Sequence, residues 1–175
     1  MEKVPGFEAL EGRVIIEWGK GTLAWHQKLR NKEVLEIRHQ SEIREPFQDY
    51  LDFVLTHEEL VELVEAQDAN REWRARLSAV AGVYLITATT TGDQYVGSAH
   101  GGEGFWGRWC DYARNGHGGN KALRSLVRSD PAYPGAFQYS ILQVLPKSRT
   151  HADVLAWEKI YKDKLGSRAV GLNLN

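Results

Sequence analysis

GVYLITATTTGDQYVGSA, residues 82–99, has the layout of a strand, a turn and a second strand. GVYLITA is apolar and β-branched, as a strand is, TTTGD carries turn chemistry, and QYVGSA begins a second strand. The connection is too short for a crossover, so the two strands must run antiparallel. Each carries a tyrosine beside a glycine, in Gly82-Val83-Tyr84 and again in Tyr95-Val96-Gly97. Two such rings either pack across the strand pair or stand over a reactive site. Residues elsewhere in the chain have to separate these readings.

Downstream, helical spacing is expected over about 104–114 and 120–129, separated by the glycine-rich NGHGG at 115–119. Strand FQYSILQVL (137–145) and a helix over about 151–165 follow, then the tail GSRAVGLNLN. Three strands and three helices make a small α/β unit. Upstream, RVIIEW (13–18) and EVLEIR (33–38) read as strands, with GTLAWHQKL (21–29) a third between them. PFQDYLDFVL (46–55) reads as helix. Thr56 and Glu59 form a capping-box pattern for a helix over 57–66, and 68–80 has helical period. The pattern changes near 78–81. The expected organisation is therefore an accessory strand-then-helix region, 1–79, and an α/β unit, 80–175.

The 175 residues include 42% hydrophobic and 26% charged side chains, an ordinary globular balance. One cysteine, Cys110, allows neither an internal disulfide nor a zinc-type cluster. No apolar run approaches the roughly 18 residues of a membrane span, and the N-terminus lacks a signal layout. A cytoplasmic protein is expected. Charge is uneven: residues 1–80 hold 11 Lys/Arg against 16 Asp/Glu, and 81–175 hold 11 against 7. The net charges of −5 and +4 make the second half the better match for a polyanion.

Two side chains break their helices' patterns. In HADVLAWEKIYKDKL, Val154, Tyr161 and Leu165 fall on one apolar stripe, and Glu158 falls inside it. A carboxylate facing a core needs an ion-pair partner, such as a nearby arginine, or a functional one, such as a metal. In FWGRWCDYAR, Phe105, Trp109 and Tyr112 form the buried stripe. Arg108 lies at its margin, either snorkelling to solvent or poised to grip a phosphate in a bidentate fork. GEGFWG (102–107) matches G-x-G-x-x-G, but its strand belongs to a hairpin and no acidic residue stands about twenty positions on in a following parallel strand, where RSDPAYPG stands instead, so dinucleotide binding is set aside.

Together, G-V-Y at 82–84, Y-V-G at 95–97, Arg108, Glu158 and Asn173 resemble the GIY-YIG nuclease superfamily over residues 80–175. The resemblance implies a three-stranded antiparallel sheet flanked by helices, and metal-dependent hydrolysis of a DNA phosphodiester. It implies Glu158 as ligand of one Mg²⁺ or Mn²⁺, and Arg108 as the neutraliser of a phosphate oxygen. Tyr84 and Tyr95 would line the cleft, Tyr84 being favoured to align the water or act as its general base. Tyr112 falls where relatives carry tyrosine or histidine. Asn173, or else Asn175, would hold the tail against the active-site wall.

Some members carry a lysine soon after Y-x-G, where Ser98-Ala99 stands here. His117 is the candidate replacement and is otherwise a loop residue. His100, in the long SAHGGEGFWG segment, is expected only to lengthen the loop. Lys121, Arg124 and Arg128 give a helix face suited to a DNA backbone or simply to solvent. Trp18 and Trp25 are expected in a core. The expected partner is DNA, with RNA, a homodimer and a protein partner on residues 1–79 left open. The alternative from another class is a non-catalytic nucleic-acid-binding or protein-interaction module on the same fold.

Overall fold

A computed structural model describes residues 6, 10, 14–17, 31–37, 47–169 and 171–173. Trp18, the 21–29 segment with Trp25, and Asn175 lie outside the described residues. Strands β1 (Val14–Ile16) and β2 (Val34–Ile37) form an antiparallel ribbon with a bulge at Ile15/Ile16, inside the two stretches read as strands.

A second sheet has the order β3-β6-β4-β5, from β3 (Leu55–Thr56), β4 (Val80–Ala88), β5 (Gln94–Ala99) and β6 (Phe137–Pro146). Every pairing is antiparallel. The expected three-stranded sheet is present, and the two-residue β3 adds a fourth strand through Leu55 opposite Tyr139. Central β4 is covered on both faces, which is why VAGVYLITA reads as an almost unbroken apolar run.

The sheet faces carry different helices. Tyr84, Ile86 and Ala88 point into a core shared with Phe105, Trp109 and Tyr112 of α3 (Gly104–Asn115). Leu60 and Leu63 of α1 (His57–Glu65), and Trp73 and Leu77 of α2 (Arg71–Ala79), complete it. On the other face, Ala81 and Leu145 pack with Val154 of α5 (His151–Leu165). The pattern change near 78–81 therefore marks a change of element type, while packing is continuous across it.

Two details depart from the sequence reading, and the helix start between them agrees with it. Residues 47–54 are irregular, with a bend at 50–52, rather than helical. Their three-residue aromatic spacing imitates a helix, but the rings serve different partners: Phe47 lies 5.0 Å from Trp73, and Phe53 lies 4.9 Å from Trp73 and 6.1 Å from Trp109. The Asp49 carboxylate also captures the Leu51 N–H at 3.0 Å, a local bond that competes with helix. Thr56 is an extended N-cap with a complete capping box to Glu59, so α1 starts as its spacing predicts. On α5 the buried row is Val154, Glu158 and Lys162, whereas Leu165, in the last turn before the left-handed Gly166, is exposed.

β5 is the free edge of the sheet, so its outer backbone groups need partners. Asn173 supplies them, accepting from Val96 N at 2.9 Å and donating to Val96 O at 2.8 Å. Leu172 N bonds Gln94 O at 2.8 Å. The tail is thus laced along the edge that carries the second tyrosine.

Candidate active site at the open edge of the sheet

The glycine of the second hairpin triplet is there for the tyrosine of the first, whereas Gly82 leaves room for the Gln143 carbonyl and the Phe105 ring. Tyr84 sits directly opposite Gly97, and its side chain lies across the glycine. A Cβ at Gly97 would overlap the Tyr84 hydroxyl and stand 2.5 Å from its Cζ. In the loop after α3, Gly118 does the same for Tyr112, whose ring would meet a Cβ at 2.6 Å. Gly97 and Gly118 each clear space for a buried tyrosine.

These tyrosines build a hub around Arg108. The Tyr84 and Tyr112 hydroxyls share a hydrogen bond of 2.9 Å. Arg108 Nε donates to Tyr84 Oη at 3.0 Å and Nη1 donates to the Gly118 carbonyl at 2.7 Å. The guanidinium also lies 5.3 Å from the Tyr112 ring centre. Burial opposes its charge, but the oxygens of Tyr84, Tyr112 and Tyr95 more than offset this and hold the arginine protonated above its ordinary range. Arg108 is therefore a fixed cation rather than a snorkelling one.

A cleft of about 430 Å³ opens beside it, lined by Tyr95, Ser98 and His100 from β5 and the loop after it, by Glu103, Arg108 and Asp111 at α3, and by Glu158 from α5. The free edge explains this assembly. Alternate β5 residues face opposite sides of the sheet, and only at an edge can groups from both sides reach one space. Tyr95 comes from the α3 side and Ser98 from the α5 side.

Of the two tyrosines expected at the cleft, the sequence reading favoured Tyr84 to handle the water; in the structure Tyr84 meets the site through Arg108, whose Nε donates to its hydroxyl. Tyr84 is 0% exposed and does not line the cleft; Tyr95 does. Burial, with Tyr95 adding to it, drives the Tyr84 hydroxyl well above its ordinary range, so it stays protonated at neutral pH. Tyr112 and Tyr139 are raised in the same way, again chiefly by burial. A raised tyrosine stabilises the fold below its unfolded value, about 10, and that stability is lost as pH rises beyond it. The protein should melt at progressively lower temperature above about pH 10. Absorbance at 295 nm should show these three phenols ionising only with unfolding; early ionisation of all seven tyrosines would contradict their burial.

Glu158 is 9% exposed and reaches the cleft from inside the packed row of α5. Its ion-pair partner is Lys162, one turn on, with Nζ 2.7 Å from Oε1, rather than an arginine. The Ser98 hydroxyl donates to Oε2. Ser98 and Lys162 were missed as site residues, although Glu158 and Lys162 have the helix spacing of an acid–base pair.

His100 does more than lengthen its loop. It lines the cleft and lies 3.9 Å, centre to centre, from the His151 ring. Burial, His151 and Arg108 lower its pKa against the pull of Glu158, favouring the neutral ring. His117 stands apart from the cleft-lining residues; its Nδ1 accepts from Gly119 N at 2.9 Å. Burial and the charges of Arg124 and Arg128 lower its pKa. Lys121, Arg124 and Arg128 are all exposed on α4 (Lys121–Ser129). Among the described residues no helix is long and apolar enough to cross a membrane.

No protein-family model and no curated protein sequence matches this chain. Two solved structures are similar to it. One, described as the catalytic domain of the homing endonuclease I-TevI, is 25% identical, covers 54% of this chain and 98% of its own, and has a TM-score of 0.42. A mutant form of the I-TevI catalytic domain is 24% identical over 55% of this chain and 94% of its own, with the same TM-score. The structure similar to this chain is thus, in both cases, the catalytic domain of an endonuclease.

Proposed function

We propose that the protein is a metal-dependent endonuclease of the GIY-YIG type, which hydrolyses DNA phosphodiester bonds in the cleft along β5. The observation that carries this reading is the convergence of Arg108, Tyr95 and Glu158 on one open space. A fixed cation, a phenol and a buried carboxylate together suit a phosphodiester, whose hydrolysis builds negative charge on non-bridging oxygens.

Arg108 binds a phosphate oxygen and offsets that charge as it grows, at no cost of reorganisation, because Tyr84 and Gly118 already hold its guanidinium. Tyr84 and Tyr112 act as positioning residues. Tyr95 presents the phenol that orients the attacking water. His100 is the imidazole in the cleft, kept neutral by burial and by the charges of His151 and Arg108 and so able to accept a proton.

The donor set fits a hard divalent ion. Glu158 offers carboxylate oxygen at the cleft and Ser98 a hydroxyl beside it. No cluster of three or more His, Cys, Asp or Glu ligands occurs among the described residues, which suits an ion that keeps water and substrate oxygens in its shell, as Mg²⁺ does. When bound, the ion would supply charge neutralisation at the phosphate and leaving oxygen. The exposed Lys121, Arg124 and Arg128, with His117, would follow the DNA backbone. Residues 47–79, which share the core, would serve as the back wall of the catalytic unit.

Incubation with supercoiled plasmid, branched DNA, single-stranded DNA and RNA, with Mg²⁺, Mn²⁺ or EDTA, tests the reading. DNA nicking in both metals and none in EDTA is expected. Retained binding with no cleavage of any substrate would instead make the protein a nucleic-acid-binding module.

A further inference from the structure

One face of the four-stranded sheet is covered by α5. A helix about 10 Å across spans about two strands spaced about 4.8 Å apart. α5 packs on β4 and β5, so Gln138, Ser140 and Leu142 of β6 stay half-buried beside it. The flank of α5 turned towards β6 is the one away from the cleft. There Tyr161 donates to the Leu142 carbonyl at 3.1 Å, whereas Glu158 meets Ser98 on the other flank. Next to Tyr161, on the outer surface, lie Asp153, Trp157, Ile160 and Lys164, at the alternating four- and three-residue spacing of a helix-packing stripe. Trp157 and Ile160 are 37% and 42% exposed. The stripe is held in shape by Tyr161, whose ring lies 6.5 Å from that of Trp157 and 5.3 Å from the Lys164 ammonium.

We propose that this stripe is a self-complementary interface through which two copies of the chain pair, α5 against antiparallel α5. With a twofold axis between residues 158 and 159, Trp157 meets Ile160 of the partner subunit and Asp153 meets Lys164 of the partner subunit, each contact being made twice. A parallel pair would set like charges together at both ends. An antiparallel pair slipped by one layer would press Asp153 against an isoleucine. The apolar contacts at the centre supply the attraction. The charge pairs at the ends fix direction and register more than they add strength. Each cleft lies on the far flank of its own α5 and stays clear of the contact.

The test is sedimentation velocity of the full chain over a dilution series, in EDTA and without DNA. Wild type should pass from two-chain to one-chain mass on dilution, and its melting temperature should rise with concentration. Trp157→Glu and Ile160→Asp should each raise the dissociation constant about tenfold or more. Both sites are exposed, so these variants should melt no lower than dilute wild type. Lys164→Glu and Asp153→Lys should each weaken pairing too, the second also melting lower because it loses its bond from Thr150 N. An equimolar mixture of these two should recover the dimer, since each supplies the charge the other has lost. Wild type that keeps one-chain mass at every concentration overturns the proposal, and a lower melting temperature in Trp157→Glu would then assign the face to residues of the same chain. Normal pairing in the Trp157 and Ile160 variants, or a mixture no tighter than its components, overturns it as well. The readout is mass, so a protein that cuts no DNA would remove the nuclease reading and leave the pairing standing.

Discussion

Glu158→Gln should reduce DNA cleavage by about three orders of magnitude or more, the scale of losing a preorganised charge-stabilising group. Glutamine has nearly the same shape; its one oxygen can still accept from Lys162 while its amide N–H donates to the Ser98 hydroxyl, so the row Val154–Glu158–Lys162 should stay packed. What it loses is the negative charge, which both a divalent ion and Lys162 need. Lys162, at 4% exposure, would face a neutral oxygen, so the melting temperature should fall as well. Removing one partner of a buried pair outright costs about 3–5 kcal/mol, and glutamine should cost less because a hydrogen bond remains. The double variant with Lys162→Met should recover stability without recovering cleavage. Single-turnover cleavage and thermal melts on the same three proteins separate the two effects. A Glu158→Gln protein that melts lower yet cuts at the wild-type rate would make this carboxylate purely structural.

Arg108→Lys keeps a positive charge and should still lose about 10²–10³-fold in cleavage rate. The guanidinium spans Tyr84 Oη and the Gly118 carbonyl with two different nitrogens while lining the cleft. A single ammonium on a flexible stem cannot occupy those positions together. At least one of Tyr84 and Gly118 would lose its donor; Tyr84 keeps its bond to Tyr112, but a Gly118 carbonyl left unsatisfied costs about 1–3 kcal/mol. A lower melting temperature should therefore accompany the slower chemistry. DNA affinity should fall much less than the rate, because the exposed basic face of α4 is untouched. A lysine variant that cuts normally would show that charge alone matters at this position and that the tyrosine hub is packing.

Much of this site can be read from the chain because the needed residues break local patterns. Glu158 stands in an apolar row, Arg108 stands at the margin of an aromatic one, and both glycines beside the hairpin tyrosines are local signals. The capping boxes at Thr56 and Thr150 place two helix starts to the residue. The aromatic run 47–54 misleads for the opposite reason. Its spacing is helical, but its rings answer to Trp73 and Trp109, which are far away in sequence.

The antiparallel hairpin, the alternation of helix and strand after residue 80, and the arginine and carboxylate of the cleft are legible in the chain alone. Those follow from short-range rules: turn chemistry, strand and helix period, and the cost of a charge on an apolar face. Only the tertiary structure decided which tyrosine faces the cleft. Strand alternation puts Tyr84 and Tyr95 on the same side of the sheet, but β4 is central and β5 is its free edge, so one ring is sealed beneath α3 and the other is left at the opening. The same edge brings Ser98 and Glu158 around from the opposite face. Strand order is set by pairing between distant segments, and no local pattern in the chain encodes it.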